Sequence, residues 1–201
     1  MNTNLKNNVA REAATLLYFG AEKEYKQAKT RAAKTLGASF LPSNLEIALE
    51  LDNIAEENEG ANRKLRLIEM RRQALEIMKL LVGFCPLLIG SVWRGTIKLG
   101  SDIDIAVYSD NPQEIINELT NHGVKISKKA WTTVNKHGLN QESFHIYAQT
   151  CSNYGLEIVV RAKEEASKKR KCETFGDEIT GLKTQELEKI LQNDPTQKFI
   201  P

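Results

Sequence analysis

Apolar and polar positions alternate with two different periods along this chain, and the change falls near residue 83. Over residues 9–36 the apolar positions Val9, Ala13, Leu16, Leu17, Ala21, Tyr25, Ala28, Ala32 and Leu36 recur at steps of mostly three and four. That spacing lines one face of a helix. Gly20 is its weak point, and the helix is expected to break at Gly37 and Pro42. Ser43, with Glu46 three residues on, forms a capping box that opens a second helix from Asn44. This helix carries Ile47, Leu51 and Ile54 on its stripe and ends near Gly60. A third helix is expected from about Asn62 to Val82, with Leu65, Ile68, Leu75, Met78 and Val82 as its apolar stripe. Residues 1–82 are therefore expected to form a helical N-terminal region.

After Gly83 short apolar runs sit between turn signals. Pro86–Ile89 and Ile103–Val107 read as strands. Asn111 as N-cap, Pro112 at the first helical position and Glu114 in the first turn open a helix that ends at His122-Gly123. Three strands are expected over 124–135, 143–150 and 155–161, with turns around Gly138 and Asn153. A Lys/Glu-rich helical piece to about Lys171 and a last helix from Thr184, carrying Leu187, Ile190 and Leu191, complete a second region over 83–201. The fold class is α+β.

The second and third helices carry opposite charge. Residues 45–59 hold Glu46, Glu50, Asp52, Glu56, Glu57 and Glu59 without a Lys or Arg, whereas 62–82 is rich in Arg and Lys. An antiparallel hairpin turning at Gly60 with complementary flanks is the plain reading. The sharper one has Arg63, Arg66, Arg71 or Arg72 facing an anionic acceptor. Over the whole chain 28 Lys+Arg against 26 Asp+Glu give only +2, too even to imply nucleic-acid binding by itself. The longest apolar run, Leu80 to Gly90, is broken by Pro86 and is too short for a membrane span. Residues 1–8 lack the apolar core of a signal peptide. Three cysteines without C-x-x-C spacing suit a reduced, cytoplasmic protein without zinc.

The chemistry is concentrated between Leu88 and Val107. A strand ends at Gly90-Ser91, the chain turns, and a second strand returns carrying Asp102 and Asp104. Residues i and i+2 of a strand share a face, so the two carboxylates project together while Ile103, Ile105 and Val107 go to the core. Adjacent carboxylates on an apolar strand repel each other and resist desolvation, and a cation between them relieves both effects. Oxygen-only ligands favour Mg²⁺ or Mn²⁺. Gly90 allows close backbone approach, and Ser91 offers a hydroxyl and an N–H at a helical turn, a geometry suited to phosphate. Arg94 lies about one turn later, within reach of the same anion.

The run Gly90-Ser91-Val-Trp-Arg94-Gly95, followed by Ser101-Asp102-Ile-Asp104, resembles the minimal, archaeal-type members of the nucleotidyltransferase superfamily that includes DNA polymerase beta. The resemblance covers roughly residues 84–162. It implies a mixed sheet with flanking helices, a nucleotide bound by Gly90, Ser91, Arg94 and Ser101, and ATP or another nucleoside triphosphate as donor. It also implies Mg²⁺ on Asp102 and Asp104, and a third carboxylate on a neighbouring strand that ligates metal or acts as base. Glu157, in Tyr154-Gly-Leu-Glu-Ile-Val-Val-Arg161, is the candidate. Arg161 shares its strand face and either pairs with it or touches substrate. His145 is read as structural or surface, Trp93 as packing the turn, and Lys168–Lys171 as a solvated face. The acceptor implied is RNA, a protein or a small molecule. A homodimer or a helical partner protein is allowed for. The alternative is an antitoxin-like or nucleotide-binding interaction module. A fused helical ribonuclease is not expected, since His122, His137 and His145 all follow residue 120.

Overall fold

The computed structural model describes residues 3–136 and 139–201. Helix α1 (Thr3–Tyr18) and α2 (Tyr25–Thr35) are two helices where the apolar spacing suggested one. The chain turns at Gly20, and the stripe carries on across the short connection because both helices face the same core. That core is built of small side chains. Val9, Ala10, Ala13, Ala14 and Leu17 of α1 meet Ala28, Ala32 and Ala33 of α2, closed by Ile47 and Ile54.

The latter two belong to α3 (Asn44–Leu80), which opens with the Ser43–Glu46 capping box. At Gly60 the backbone leaves helical dihedrals (φ 53°, ψ −137°). The bend brings the Arg63 guanidinium onto Asp52, eleven residues back and about 16 Å away along a straight helix. The opposite charges of the two halves are thus used within the chain. Arg63 also pairs with Glu56 at 2.8 Å, and Arg66 pairs with Glu59.

The second half of α3 buries Arg63, Leu67, Met70, Arg71, Ala74, Ile77 and Met78, with Leu81 just past its end, a regular helical stripe. This corrects the expected one, since Leu65 and Val82 are about two-thirds exposed. The apolar pattern alone misplaces the face because two of its members are arginines. Arg63 Nε donates to the Ile97 carbonyl at 2.8 Å. Arg71, fully buried, donates to the carbonyls of Val92, Trp93, Pro195 and Gln197 at 2.8–3.1 Å. These side chains, and Arg66, are engaged within the fold, and of the four arginines only Arg72 is exposed.

Six strands form one mixed sheet: β1 (Leu87–Ile89), β2 (Ile103–Tyr108), β3 (Ile126–Lys136), β4 (Leu139–Gln149), β5 (Gly155–Arg161) and β6 (Leu182–Lys183). Their order is β3-β4-β5-β2-β1-β6, with β2 and β5 parallel and the other pairs antiparallel. The expected turn at Gly138, and His137, lie outside the described residues. Ile103, Ile105, Val107, Leu156, Ile158, Val160 and Ile146 pack one sheet face against α3 and against Ile115 and Leu119 of α5 (Pro112–Asn121). Strand alternation leaves Asp104, Ala106, Tyr108, Glu157, Arg161, His145 and Tyr147 on the opposite face.

The helical piece expected up to Lys171 reduces to one 3₁₀ turn, Lys163–Glu165. It has no apolar stripe to bury, and its charges pair locally: Arg170 with Glu165 at 2.6 Å and Lys169 with Glu178 at 3.0 Å. The two-residue β6, too short to read from pattern, leads into α6 (Thr184–Asn193), which packs Leu187 into the core. Among the described residues no helix is long and apolar enough to cross a membrane.

Candidate active site

β1 ends at Ile89 and the chain enters a five-residue helix, α4 (Gly90–Arg94). Gly90 takes φ +71°, and a methyl group there would overlap the Asp104 carboxylate. Glycine is required twice over, for the left-handed backbone and for the space. The same device recurs across the sheet, where a Cβ at Gly155 would overlap the Asp102 carboxylate. Gly90 at the start of α4 and Gly155 at the start of β5 clear the room in which the two aspartates sit.

Asp104 is in register with Ile89 on one side and Glu157 on the other. Asp102 lies just before β2 begins. Burial first, then the charges of Glu157 and Asp102, push Asp104 from 3.8 up to about 7. Burial and Glu157 also raise Asp102, against a smaller opposing pull from Lys98. Burial, Glu157 and Asp104 hold the Tyr147 phenol above its ordinary range as well. This corner of the sheet therefore carries more negative charge than its own cations neutralise.

Among the described residues no three His, Cys, Asp or Glu side chains converge on one metal-sized position. A magnesium-type ion needs fewer, because it binds through one or two carboxylates and takes its other ligands from water and substrate phosphate. The hard, oxygen-only, mutually repelling pair Asp102/Asp104 fits such an ion.

Glu157 does not pair with Arg161. Its Oε1 lies 2.5 Å from His145 Nδ1, and His145 Nε2 lies 2.8 Å from Ser143 Oγ. His145, read from sequence as structural or surface, is thus the partner of a candidate catalytic carboxylate. The register of β4 on β5 brings it there.

Gly90, Ser91, Arg94 and Ser101 all line one pocket of about 230 Å³. Their roles differ. Arg94 is buried, donates to both Asp177 oxygens at 3.1 and 2.6 Å and to the Phe199 carbonyl at 2.9 Å, and lies between the Trp93 and Phe175 rings. Its guanidinium holds the pocket wall. Trp93 itself is 3% exposed and packs the turn. Ser101 Oγ accepts the Lys98 N–H at 2.9 Å and closes the loop that delivers Asp102. Lys98 lines the pocket and was missed in the sequence, although its place four residues before Asp102 was a usable signal. Thr96 also lines it, as do Tyr25, Ala48 and Leu51 from the N-terminal helices and Cys172, Thr174 and Phe175 from the other side. Nothing local in the sequence links those last six residues to the motif.

Residues 71–190 match the nucleotidyltransferase domain family. The chain belongs to that family. In this nucleotidyltransferase domain the matched span takes in every motif residue and begins inside α3, at Arg71, so that α1, α2 and the first half of α3 lie outside it. Among solved structures, the Cid1 poly(U) polymerase bound to MgATP is 15% identical, with a TM-score of 0.33 over 47% of this chain and 32% of that one. A cytoplasmic RNA terminal U-transferase is 15% identical, with a TM-score of 0.30 over 58% of this chain and 34% of that one. The GLD-2/RNP-8 complex gives 14% and 0.30, over 62% and 39%. This chain spans about a third of the length of these proteins. No curated protein matches it.

Proposed function

We propose that this protein moves a nucleoside monophosphate from a nucleoside triphosphate, ATP by default, to an acceptor hydroxyl. One observation carries the reading: the pair Asp102/Asp104, given room by Gly90 and Gly155, adjoins a pocket lined by Gly90, Ser91, Lys98 and Ser101. The Gly90 and Ser91 backbone, the Ser91 hydroxyl and Lys98 bind the β- and γ-phosphates. Asp102 and Asp104 would hold Mg²⁺ or Mn²⁺, and Glu157 would complete that set or serve as the base. When bound, such an ion neutralises charge developing on the transferred and leaving phosphates.

The acceptor oxygen attacks the α-phosphorus in line, the bond to the bridging oxygen breaks, and pyrophosphate leaves. On this reading Glu157 takes the acceptor's proton, and the hydrogen bond between its Oε1 and His145 orients the carboxylate. Catalysis on this reading is positioning and charge neutralisation.

The test is incubation with each α-³²P-labelled nucleoside triphosphate and Mg²⁺, with total RNA, protein lysate and small hydroxylated or aminated metabolites as acceptors. Label is expected in one acceptor class, with release of pyrophosphate, and is expected to vanish in Asp102→Asn/Asp104→Asn. Transfer that survives the double substitution would overturn the assignment.

A further inference from the structure

A second and larger cleft, of about 1190 Å³, opens on the same sheet face, running from Ile89 away from the aspartates. Leu87, Ile89 and Ala106 give it an apolar floor, and its walls carry Arg161, Lys168, Lys169, Arg170, Lys183 and Lys189. The two lining carboxylates are already engaged. Glu178 pairs with Lys169 at 3.0 Å, and Glu186 accepts the backbone N–H of Lys183 at 2.8 Å. Glu165 accepts from Arg170 at 2.6 Å.

Arg161 stands apart from these. It is half-buried, its Nε is closed off from solvent, and that Nε has no hydrogen-bond partner among the described residues. No carboxylate pairs with its guanidinium among the described residues. Burial and the neighbouring Arg170 charge depress its pKa, with only weaker opposing pulls from Tyr108 and Glu165. A partly desolvated cation without a direct ion-pair partner is costly, and an incoming anion lowers the cost. The planar guanidinium fork matches phosphate oxygens in a bidentate way. Lys169 pairs with Glu178 and Lys168 lies 3.9 Å from Glu164 and Glu165, so the added charge comes from Lys183 and Lys189, and the volume exceeds what one small ligand fills.

We propose that Arg161 anchors a phosphate-binding subsite in this cleft, four residues or about 13 Å along β5 from Glu157, and that the subsite takes a phosphate mono- or diester carried by the acceptor. The existence of the subsite stands on the cleft alone. Its role in holding the acceptor rests on the proposed transfer reaction. Acceptor phosphate and donor triphosphate then occupy adjoining cavities, since consecutive residues Ile89 and Gly90 line the cleft and the smaller pocket respectively.

The experiment measures binding to the full chain without Mg²⁺ or nucleoside triphosphate, so that its outcome is independent of catalysis. The probes are inorganic phosphate, a nucleoside 5′-monophosphate, and short single-stranded RNA and DNA oligonucleotides, followed by calorimetry and thermal shift. Arg161→Gln is expected to weaken the bound probe by about tenfold to a hundredfold, the range for losing a hydrogen bond between charged groups. Arg161→Lys, which keeps the charge without the fork, is expected to fall between. Arg161→Gln removes a buried charge, so its melting temperature is expected to hold or rise, and phosphate is expected to raise the melting temperature of the wild type alone. If the monophosphate binds as tightly as the oligonucleotides, the ligand is a monoester; if only oligonucleotides bind, it is a diester strand. Unchanged affinity in Arg161→Gln would overturn the proposal, as would an equal loss in Ser91→Ala, which would put the probe in the donor pocket.

Discussion

Replacing Asp104 with asparagine is expected to stabilise the protein, by an amount that grows with pH. In the fold this carboxyl is pushed from 3.8 up to about 7 by burial, Glu157 and Asp102. A raised carboxyl pKa means that the folded state holds the proton more tightly than the unfolded chain does. Below about pH 4 both states are protonated and the group is neutral to stability. Between about pH 4 and pH 7 the unfolded chain is ionised while the fold keeps its proton, so stability falls as pH rises. Above pH 7 the loss levels off at about three pKa units, or on the order of 4 kcal/mol. At pH 5 the same linkage costs only about 2 kcal/mol. Asparagine keeps the shape and carries no charge, so it recovers most of that difference. For a chain of this size the gain at pH 8 corresponds to a rise in melting temperature on the order of 10 °C. Calorimetric melting of wild type and Asp104→Asn at pH 5 and pH 8 measures it directly. Mg²⁺ is expected to raise the wild-type melting temperature at pH 8 and to leave the variant unmoved. A variant no more stable than wild type at pH 8, or equally stabilised at both pH values, would refute the argument that Asp104 sits in an uncompensated anionic corner.

Gly155→Ala places a methyl group where the Asp102 carboxylate lies; transfer is expected to fall at least about tenfold as the aspartate is displaced, while circular dichroism and melting stay close to wild type. Arg71→Ala removes a donor from the carbonyls of Val92, Trp93, Pro195 and Gln197 together. The expected cost is on the order of 3 kcal/mol, read as a lower denaturation midpoint and as faster proteolytic release of the C-terminal tail. Arg94→Gln, by contrast, loses the Asp177 pair. It is expected to lower the melting temperature and to weaken triphosphate binding only through the loosened pocket wall, so that the loss of affinity shrinks as the assay is cooled further below that melting temperature.

What the sequence determined by itself is what depends on neighbours a few residues apart. The Ser43–Glu46 capping box, the Asn111-Pro112 helix start, the α6 stripe and the strand carrying Asp102 and Asp104 are all legible from local period and cap chemistry, and the structure contains them. The Gly90-Ser91 and Ser101-Asp102-Ile-Asp104 run was legible for the same reason, since its spacing is short and its residue types are chemically unusual. What only the tertiary structure decided is where each charge ends. Arg63 and Arg71 look like a solvated face in the sequence, yet they turn inward because Asp52, Ile97 and the carbonyls near residue 195 come from elsewhere in the chain. Arg94 looks free for a phosphate until Asp177, 83 residues on, takes it. His145 has no local mark of function and acquires a partner only through the register of β4 on β5. Helix and strand periods are set by backbone geometry over a few residues. The fate of a long charged side chain is set by whatever counter-charge the fold carries to it, and distance along the chain says nothing about that.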